Sequence, residues 1–484
     1  MAGRNRFNNI SSKEWLPFQK SWYIETDLEE TYRKNIRFFV KFDWEEHQPN
    51  IFFYGNSDKE SLFKKVAKEE GAEVFTKIES LTGDTELQFA LIDVLDEAGK
   101  IEDLKKLLQF NIKITALAKQ LKNKIIHRRF ISVFTKNIFS KNTYLPSAWD
   151  LSERVAEIYT LKDEKIACLQ SQLNKESKHY FSTKQDYYYA LYFRKDENSG
   201  LDYGQFKNSN FFKLNTQQSF FAAHKKPISN WHIIKPPRRN KKEVLHPAKF
   251  PEEVVELFLP FFTQKQDAVF DPMSGTASTQ LAALRNQRNA YGTELSPFFY
   301  EISKERLQNF LKPEQQEIFD NIPKDVDFKL LQKDARTITK KDFPEIDYIF
   351  TSPPYWDMLN MLGAENQAKR IKKGLQTNYS NDEKDLGNIA DYKQFIEELV
   401  DVYRNLIQLL KPGGYFTIVV KNIKKKGKNY PFAYDLGHLL QEDLILLPEV
   451  FWLQDDINLA PYGYGNTFVS NTFHQYCLHF QKPA

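Results

Sequence analysis

Ala268-Val269-Phe270-Asp271-Pro272-Met273-Ser274-Gly275-Thr276-Ala277-Ser278-Thr279 is a short apolar run ending in a carboxylate, then a turn of small residues. A helical stretch, Gln280 to Gln287, follows at once. A strand, a tight turn and a helix N-terminus in that order make a cradle for a nucleotide-like ligand. Gly275 lacks a Cβ and lets the backbone approach that ligand closely. The dinucleotide pattern Gly-x-Gly-x-x-Gly is not met here.

Outward from this turn the chain alternates strand and helix. Asn289-Ala290-Tyr291-Gly292-Thr293 reads as a second strand ending at Glu294, with Leu295-Ser296-Pro297 opening a helix. A carboxylate at that strand end suits the hydroxyls of a ribose. Phe328-Lys329-Leu330-Leu331 reads as a third strand leading to Asp334-Ala335. Asp347-Tyr348-Ile349-Phe350 reads as a buried parallel strand that delivers Thr351-Ser352-Pro353-Pro354-Tyr355, with Trp356 next. Further on come a helix from Tyr392 to Leu410, a strand from Tyr415 to Val420, a helix from Phe432 to Leu440, and strands at Val450–Trp452 and Phe473–Phe480. The pattern predicts an α/β, Rossmann-like doubly wound sheet with its site at the carboxyl ends of the strands. In the Ser352 loop the prolines fix φ and lack N–H donors, so the loop is stiff and its carbonyls are free to accept from a ligand. Ser352 adds an acceptor, and Tyr355 adds a flat face for stacking.

These motifs resemble those of the amino-methylating DNA methyltransferases. Ser352-Pro353-Pro354-Tyr355 is similar to the family's Ser/Asp/Asn-Pro-Pro-Tyr signature, and Asp271–Thr279 to its Asp-Pro-Phe-x-Gly-x-Gly-Thr-Thr turn. Met273 stands where the family has Phe, and Ala277 where it has its second Gly. His246-Pro247-Ala248-Lys249-Phe250-Pro251 resembles a His-Pro-x-x-x-Pro element that closes the methionine end of the cofactor pocket. The resemblance spans roughly residues 230 to 484. It implies S-adenosylmethionine as cofactor, held by His246, Pro247, Phe250, Asp271, Pro272, Met273, Ser274, Gly275, Thr276, Glu294, Asp334 and Ala335. It implies that Ser352, Pro353, Pro354 and Tyr355 are catalytic. The order, with the cofactor motifs before the catalytic loop, argues against the permuted class.

The 484 residues exceed one ordinary domain. Residues 231–484 are the expected methyltransferase domain. Residues 1–230 read as a mainly helical region, suited to DNA recognition or an accessory role. Leu87, Ala90, Leu91, Val94 and Leu95 recur at helical spacing, as do apolar residues from Lys105 to Ile126, with His127-Arg128-Arg129 at the end of that run. Phe38–Phe42 and Asn50–Tyr54 look like strands, and Tyr187–Phe193 like a strand or a short buried helix. Two cysteines, Cys168 and Cys477, give no disulfide framework or metal cluster and fit a cytoplasmic setting. No apolar run is long enough to span a membrane.

The net charge of +4 makes any nucleic-acid surface a local patch. Candidates are Pro236–Lys242, the stretch Trp356–Asp385 with Lys369, Arg370, Lys372 and Lys373, and the run Lys424-Lys425-Lys426-Gly427-Lys428. Tyr462-Gly463-Tyr464-Gly465-Asn466 is an aromatic turn that either enters a groove or closes a hairpin. The expected partner is double-stranded DNA with its target base flipped out. A restriction or defence partner protein would suit such an enzyme, yet residues 1–230 show no nuclease motif. A covalent route to 5-methylcytosine needs a Cys in the catalytic loop, and neither cysteine lies there. Ser rather than Asp before Pro-Pro favours N4 of cytosine. N6 of adenine and an RNA amino group are the alternatives.

Overall fold

The computed structural model describes residues 6–42, 48–140, 143–169, 186–197, 228–235, 250–311, 326–356, 385–425, 428–455, 459, 463–468 and 470–484. Two large sheets dominate. The first is built from β1 (Trp22–Glu25), β2 (Asn50–Tyr54), β3 (Glu73–Phe75), β4 (Leu87–Asp93), β5 (Ile125–Thr135), β8 (Thr160–Leu169) and β9 (Tyr187–Arg194). Between β5 and β8 stands a hairpin, β6 (Ile138–Ser140) with β7 (Thr143–Leu145). The second sheet contains β10 (Trp231–Ile233), β11 (Ala268–Asp271), β12 (Asn289–Glu294), β13 (Phe328–Gln332), β14 (Ile346–Thr351), β15 (Leu410–Val420), β18 (Ile445–Leu446), β19 (Val450–Leu453) and β20 (His474–Gln481). It too carries a hairpin, β16 (Ile423–Lys425) with β17 (Lys428–Tyr430). The principal helices are α1 (Leu28–Phe39), α2 (Ser57–Glu70), α3 (Leu104–Lys122), α4 (Ser147–Ala156), α5 (Glu252–Phe262), α6 (Ser278–Arg285), α7 (Pro297–Phe310), α8 (Tyr392–Ile407) and α9 (Phe432–Leu440).

The second sheet runs β10-β19-β20-β15-β14-β11-β12-β13. β20 is antiparallel to both neighbours, and the strands from β15 to β13 are parallel. This is the doubly wound sheet that the alternating pattern predicts. Its central strands are apolar on both faces because helices cover both; Tyr348, Ile349 and Phe350 of β14 are fully buried. The order places the carboxyl ends of β11 and β14 side by side, so the Asp271 turn and the Ser352 loop open at one edge.

The N-terminal region departs from the mainly helical expectation. It is a seven-stranded sheet in the order β1-β8-β9-β5-β4-β2-β3. The spacing of Leu87, Ala90, Leu91 and Val94 fits a helix, but β4 is a strand buried on both faces, and an apolar run of that kind satisfies either period. His127-Arg128-Arg129 lies in β5, not at a helix end. Phe38 and Phe39 close α1, whose Asp27 cap and amphipathic stripe extend the helix to that point. Tyr187–Phe193 is a strand.

One buried apolar cluster runs through both halves, joining Trp149, Leu151 and Leu191 of the first to Tyr434, Leu436 and Phe451 of the second. The turn at Gly463–Asn466 lies in the connection between the antiparallel strands β19 and β20 and packs on the N-terminal segment; Tyr462 lies outside the described residues. Tyr464 packs edge-on against Trp15 at 5.5 Å and donates to the Ile10 carbonyl at 3.0 Å, while Gly465 O accepts from Phe7 N at 2.9 Å. No described helix is long and apolar enough to cross a membrane.

Candidate active site

The turn after β11 is held from beneath by Asp271. Its fully buried carboxylate accepts from Met273 N at 3.0 Å, Thr279 Oγ1 at 2.8 Å and Thr351 Oγ1 at 2.8 Å. Burial pushes its pKa up to about 6 despite those three donors. Asp271 thus shapes the turn and does not line the cleft. Gly275 adopts φ +55°, and Ala277, two residues on at the place of the family's second glycine, adopts φ +63°. The turn is braced from outside by α7, where Ser303 Oγ donates to Gly275 O at 2.8 Å and Arg306 donates to Thr276 O. Ser278 Oγ ties it to Phe250 O at 3.0 Å.

Above the turn lies a cleft of about 900 Å³, counting its open mouth. Of the predicted cofactor residues, Phe250, Pro272, Met273, Ser274, Gly275, Thr276, Glu294, Asp334 and Ala335 line it. His246 and Pro247 lie outside the described residues. Glu294 accepts from Gly275 N at 2.8 Å and Ser296 N at 2.9 Å, and burial pushes its pKa up to about 7. Each carboxylate oxygen keeps a further lone pair for a ligand hydroxyl. Asp334 is paired in a fork with Arg336, Nη2 to Oδ2 at 2.9 Å. Sequence reading missed Leu295, Phe299, Leu386 and Val402, the apolar wall, and Asp385 beside them. Leu386 and Val402 follow the long insertion after Trp356, and nothing in their local pattern points at the cleft.

Ser352, Pro353 and Pro354 line the same cleft. Ser352 Oγ donates to Val419 O at 2.9 Å, so its proton is engaged and its lone pairs can accept. Tyr355 is 9% exposed and does not line the cleft. Its hydroxyl donates to Gln475 Oε1 at 2.9 Å, and the Lys421 ammonium sits 5.2 Å from its ring centroid. Burial holds that ammonium below the ordinary lysine range. Trp356 packs against Tyr392 and Tyr430. In the lysine run, Lys424 pairs with Asp163 at 2.6 Å and Lys425 covers the Trp356 ring at 3.7 Å. Lys424 therefore serves the junction of the two halves. Pro236–Lys242, the lysines and arginine at 369–373, Lys426 and Gly427 lie outside the described residues. Among the described residues no cluster of His, Cys, Asp and Glu is fit to hold a metal.

A family model described as DNA methylase, of N6/N4 type, matches residues 8–305 of the 484, a span that stops before Ser352. Orphan methyltransferase M.BamHII of Bacillus amyloliquefaciens is 39% identical over 66 residues, 14% of this chain and 25% of that protein. Type II methyltransferase M.BglI of Bacillus subtilis is 35% identical over 65 residues, 13% of this chain and 19% of that protein. The aligned stretches thus span a quarter or less of these curated relatives' length. Among solved structures, TrmN from Thermus thermophilus aligns with 94% of this chain and 79% of its own at 11% identity and a TM-score of 0.30.

S-adenosylmethionine is the methyl donor of this family, and the residues present fit it. A glycine-bearing turn with φ +55°, a carboxylate at the end of the next strand and an apolar wall surround one cleft. The chain belongs to the family of N6/N4 DNA methylases.

Proposed function

We propose that the chain moves a methyl group from S-adenosylmethionine to the exocyclic amine of a base flipped out of duplex DNA, with N4 of cytosine favoured over N6 of adenine. The observation that carries this reading is the shared cleft. Ser352, Pro353 and Pro354 face the same space as Ser274, Gly275 and Glu294. S-adenosylmethionine supplies an activated methyl, so the protein's work is to position and orient. Glu294 and the backbone of the Gly275 turn would hold the donor's ribose and methionine portions. Ser352 Oγ, oriented by Val419 O, would accept from the amine and turn its lone pair towards the methyl. Tyr355 stacks on the base once its ring is uncovered; in this state it is packed beneath Lys421. The preference for cytosine rests on Ser352, where an aspartate would favour adenine. An RNA amino group is the competing substrate, and a restriction or defence partner is in keeping with the type II relatives.

The test is transfer from labelled S-adenosylmethionine to duplex DNA, followed by nucleoside analysis. N4-methylcytosine that disappears with Ser352→Ala is expected. N6-methyladenine would change the base, and label on RNA alone would overturn the DNA assignment.

A further inference from the structure

The two sheets are the same sheet built twice. Reading from the outer edge, β1-β8-β9-β5-β4-β2-β3 matches β10-β19-β20-β15-β14-β11-β12, and only β13 and the two-residue β18 have no counterpart among the described residues. Directions match as well: β1 is parallel to β8 as β10 is to β19, and β9 is antiparallel to both neighbours as β20 is. The chain order agrees too, down to a hairpin after the fifth matched strand, β5 or β15.

The sequence carries the same echo. Lys136-Asn137-Ile138 follows β5, and Lys421-Asn422-Ile423 follows β15. Pro146-Ser147-Ala148-Trp149-Asp150-Leu151 opens α4, and Pro431-Phe432-Ala433-Tyr434-Asp435-Leu436 opens α9. Asn137 Oδ1 accepts from Ala148 N at 2.9 Å, and Asn422 Oδ1 accepts from Ala433 N at 2.9 Å.

The halves meet about a local two-fold axis. Asn137 Nδ2 donates to Glu449 at 2.7 Å, and Asn422 Nδ2 donates to Glu164 at 3.2 Å. Glu449 also accepts from Tyr187 and Tyr189, the first and third residues of β9. Glu164 is met by His474 and Tyr476, the first and third residues of β20. Trp22 opens β1 and donates to Gln454 O at 3.0 Å; Trp231 opens β10 and donates to Asp186 O at 3.1 Å. On the axis, matching positions of α4 and α9 touch each other. Trp149 stacks on Tyr434 at 4.9 Å, and Glu153 meets His438 at 3.0 Å. Like meeting like is the mark of an isologous interface.

At the place that matches the second copy's cleft the first has an opening of about 760 Å³, counting its mouth, lined by Phe52, Tyr54, Thr76, Ile78, Lys113 and Leu117, but without the Gly275 turn or the Ser-Pro-Pro-Tyr loop. Beyond β2, which matches β11, the chain reads Tyr54-Gly55-Asn56-Ser57-Asp58. Asn56 caps α2 there, and Lys59 at the start of that helix pairs with Asp93 at 2.7 Å and Asp96 at 2.8 Å. Tyr32 donates to Asp93 at 2.7 Å. At the end of β4, which matches β14, Asp93-Val94-Leu95-Asp96 stands in place of Ser352-Pro353-Pro354-Tyr355.

We propose that the N-terminal half is a second copy of the catalytic fold that has lost its reaction centre and serves as a permanently attached partner. One chain is then the complete pair, with one cofactor site and no need of a second subunit. The observation is the two-fold junction joined to a first copy that lacks the Gly275 turn and the Ser-Pro-Pro-Tyr loop.

The full chain tests this by sedimentation equilibrium and by calorimetric titration with S-adenosylhomocysteine. The expected result is a mass of one chain at micromolar concentration and one equivalent bound. Two equivalents per chain would overturn the silent first copy, and a stable dimer would overturn self-pairing. If no S-adenosylhomocysteine binds, the function proposed above fails, while the mass still decides the pairing. The axis itself is tested by exchange. His438→Glu places two carboxylates together and is expected to lower Tm by several degrees, and Glu153→His added to it is expected to restore most of the loss. An exchange variant no more stable than His438→Glu would refute the axial contact.

Discussion

The Thr351 hydroxyl donates to the Asp271 carboxylate across 2.8 Å, joining the carboxyl ends of β14 and β11. The same carboxylate holds Met273 N and Thr279 Oγ1. One buried group therefore sets the distance between the cofactor-side turn and the Ser352 loop.

Replacing Asp271 by Asn keeps the shape but turns an amide donor towards other donors. Leaving buried groups unsatisfied costs about 1–3 kcal/mol. Urea unfolding is expected to show that loss, and titration a fall of at least tenfold in cofactor affinity. Thr351→Val should cost less, about 1 kcal/mol, since it removes one donor of three. Wild-type binding by Asp271→Asn would remove Asp271 from the account.

Asp271 and Glu294 carry folded pKa values of about 6 and about 7, both above the ordinary carboxylate range. A raised carboxylate pKa means that the folded state binds protons more tightly than the unfolded one. Their contribution to stability is therefore full below about pH 4 and is lost as pH rises through 6 and 7. Cofactor binding should run the other way. With Glu294 holding the ribose as proposed above, its ionised form would accept those hydroxyls best, so affinity is expected to rise with pH and level off above 7. Glu294→Gln should flatten that rise; an unchanged slope would show that another group titrates.

Ala277 is fully buried at φ +63°, ψ +36°, a region that costs a non-glycine residue about 1–2 kcal/mol. Ala277→Gly is expected to be neutral or stabilising by up to about 1 kcal/mol. The same change at Ala282, inside α6, should cost about 1 kcal/mol. Equal losses at both sites, read from urea midpoints, would refute the strain.

Gly292 is a strand glycine with no room beside it. A Cβ there would stand 2.1 Å from Gln280 Nε2 and 2.4 Å from Ser274 Oγ, two groups that bond each other at 2.8 Å. Gly292→Ala is expected to break that bond and displace the Ser274 turn, at about 1–3 kcal/mol and with weaker cofactor binding. Unchanged titration would place the turn beyond its influence.

The catalytic half was legible because its strands are short apolar runs ended by residues with one evident chemistry. Asp271 and Glu294 each close a strand, Ser352 follows one, and β11 and α9 fall where the pattern places them. The first sheet was not legible. β4 is buried on both faces and carries no alternation, so its apolar residues suit a helix equally well. The apolar cleft wall escaped for another reason: Leu386 and Val402 reach the cleft only through tertiary packing. The internal repeat was faint because it survives mainly in Lys-Asn-Ile and Ala-Trp/Tyr-Asp-Leu, the segments that meet the other half.

Glu164 and Glu449 are buried carboxylates surrounded by donors from the opposite half. Glu449→Gln introduces an amide donor against Tyr187, Tyr189 and Asn137. Hydrogen bonds to a charged group are worth about 1.5–3 kcal/mol, and a loss of that size is expected in urea unfolding, with Glu164→Gln similar. Tyr187→Phe, which removes one donor, should cost about 1 kcal/mol. A Glu449→Gln protein as stable as wild type would mean that the junction does not depend on the charge.

The first residues of the chain find their neighbours near its end. Gly465 O accepts from Phe7 N, Lys20 pairs with Asp455, and Ser21 Oγ accepts from Phe473 N. On the ribosome this segment must therefore wait until residues as late as Phe473 have emerged. The outer border of the first sheet is completed by residues made about 450 positions after its own. Translation pauses before Gln454 and Tyr464 are made would prolong a state in which Trp15 and Trp22 are uncovered.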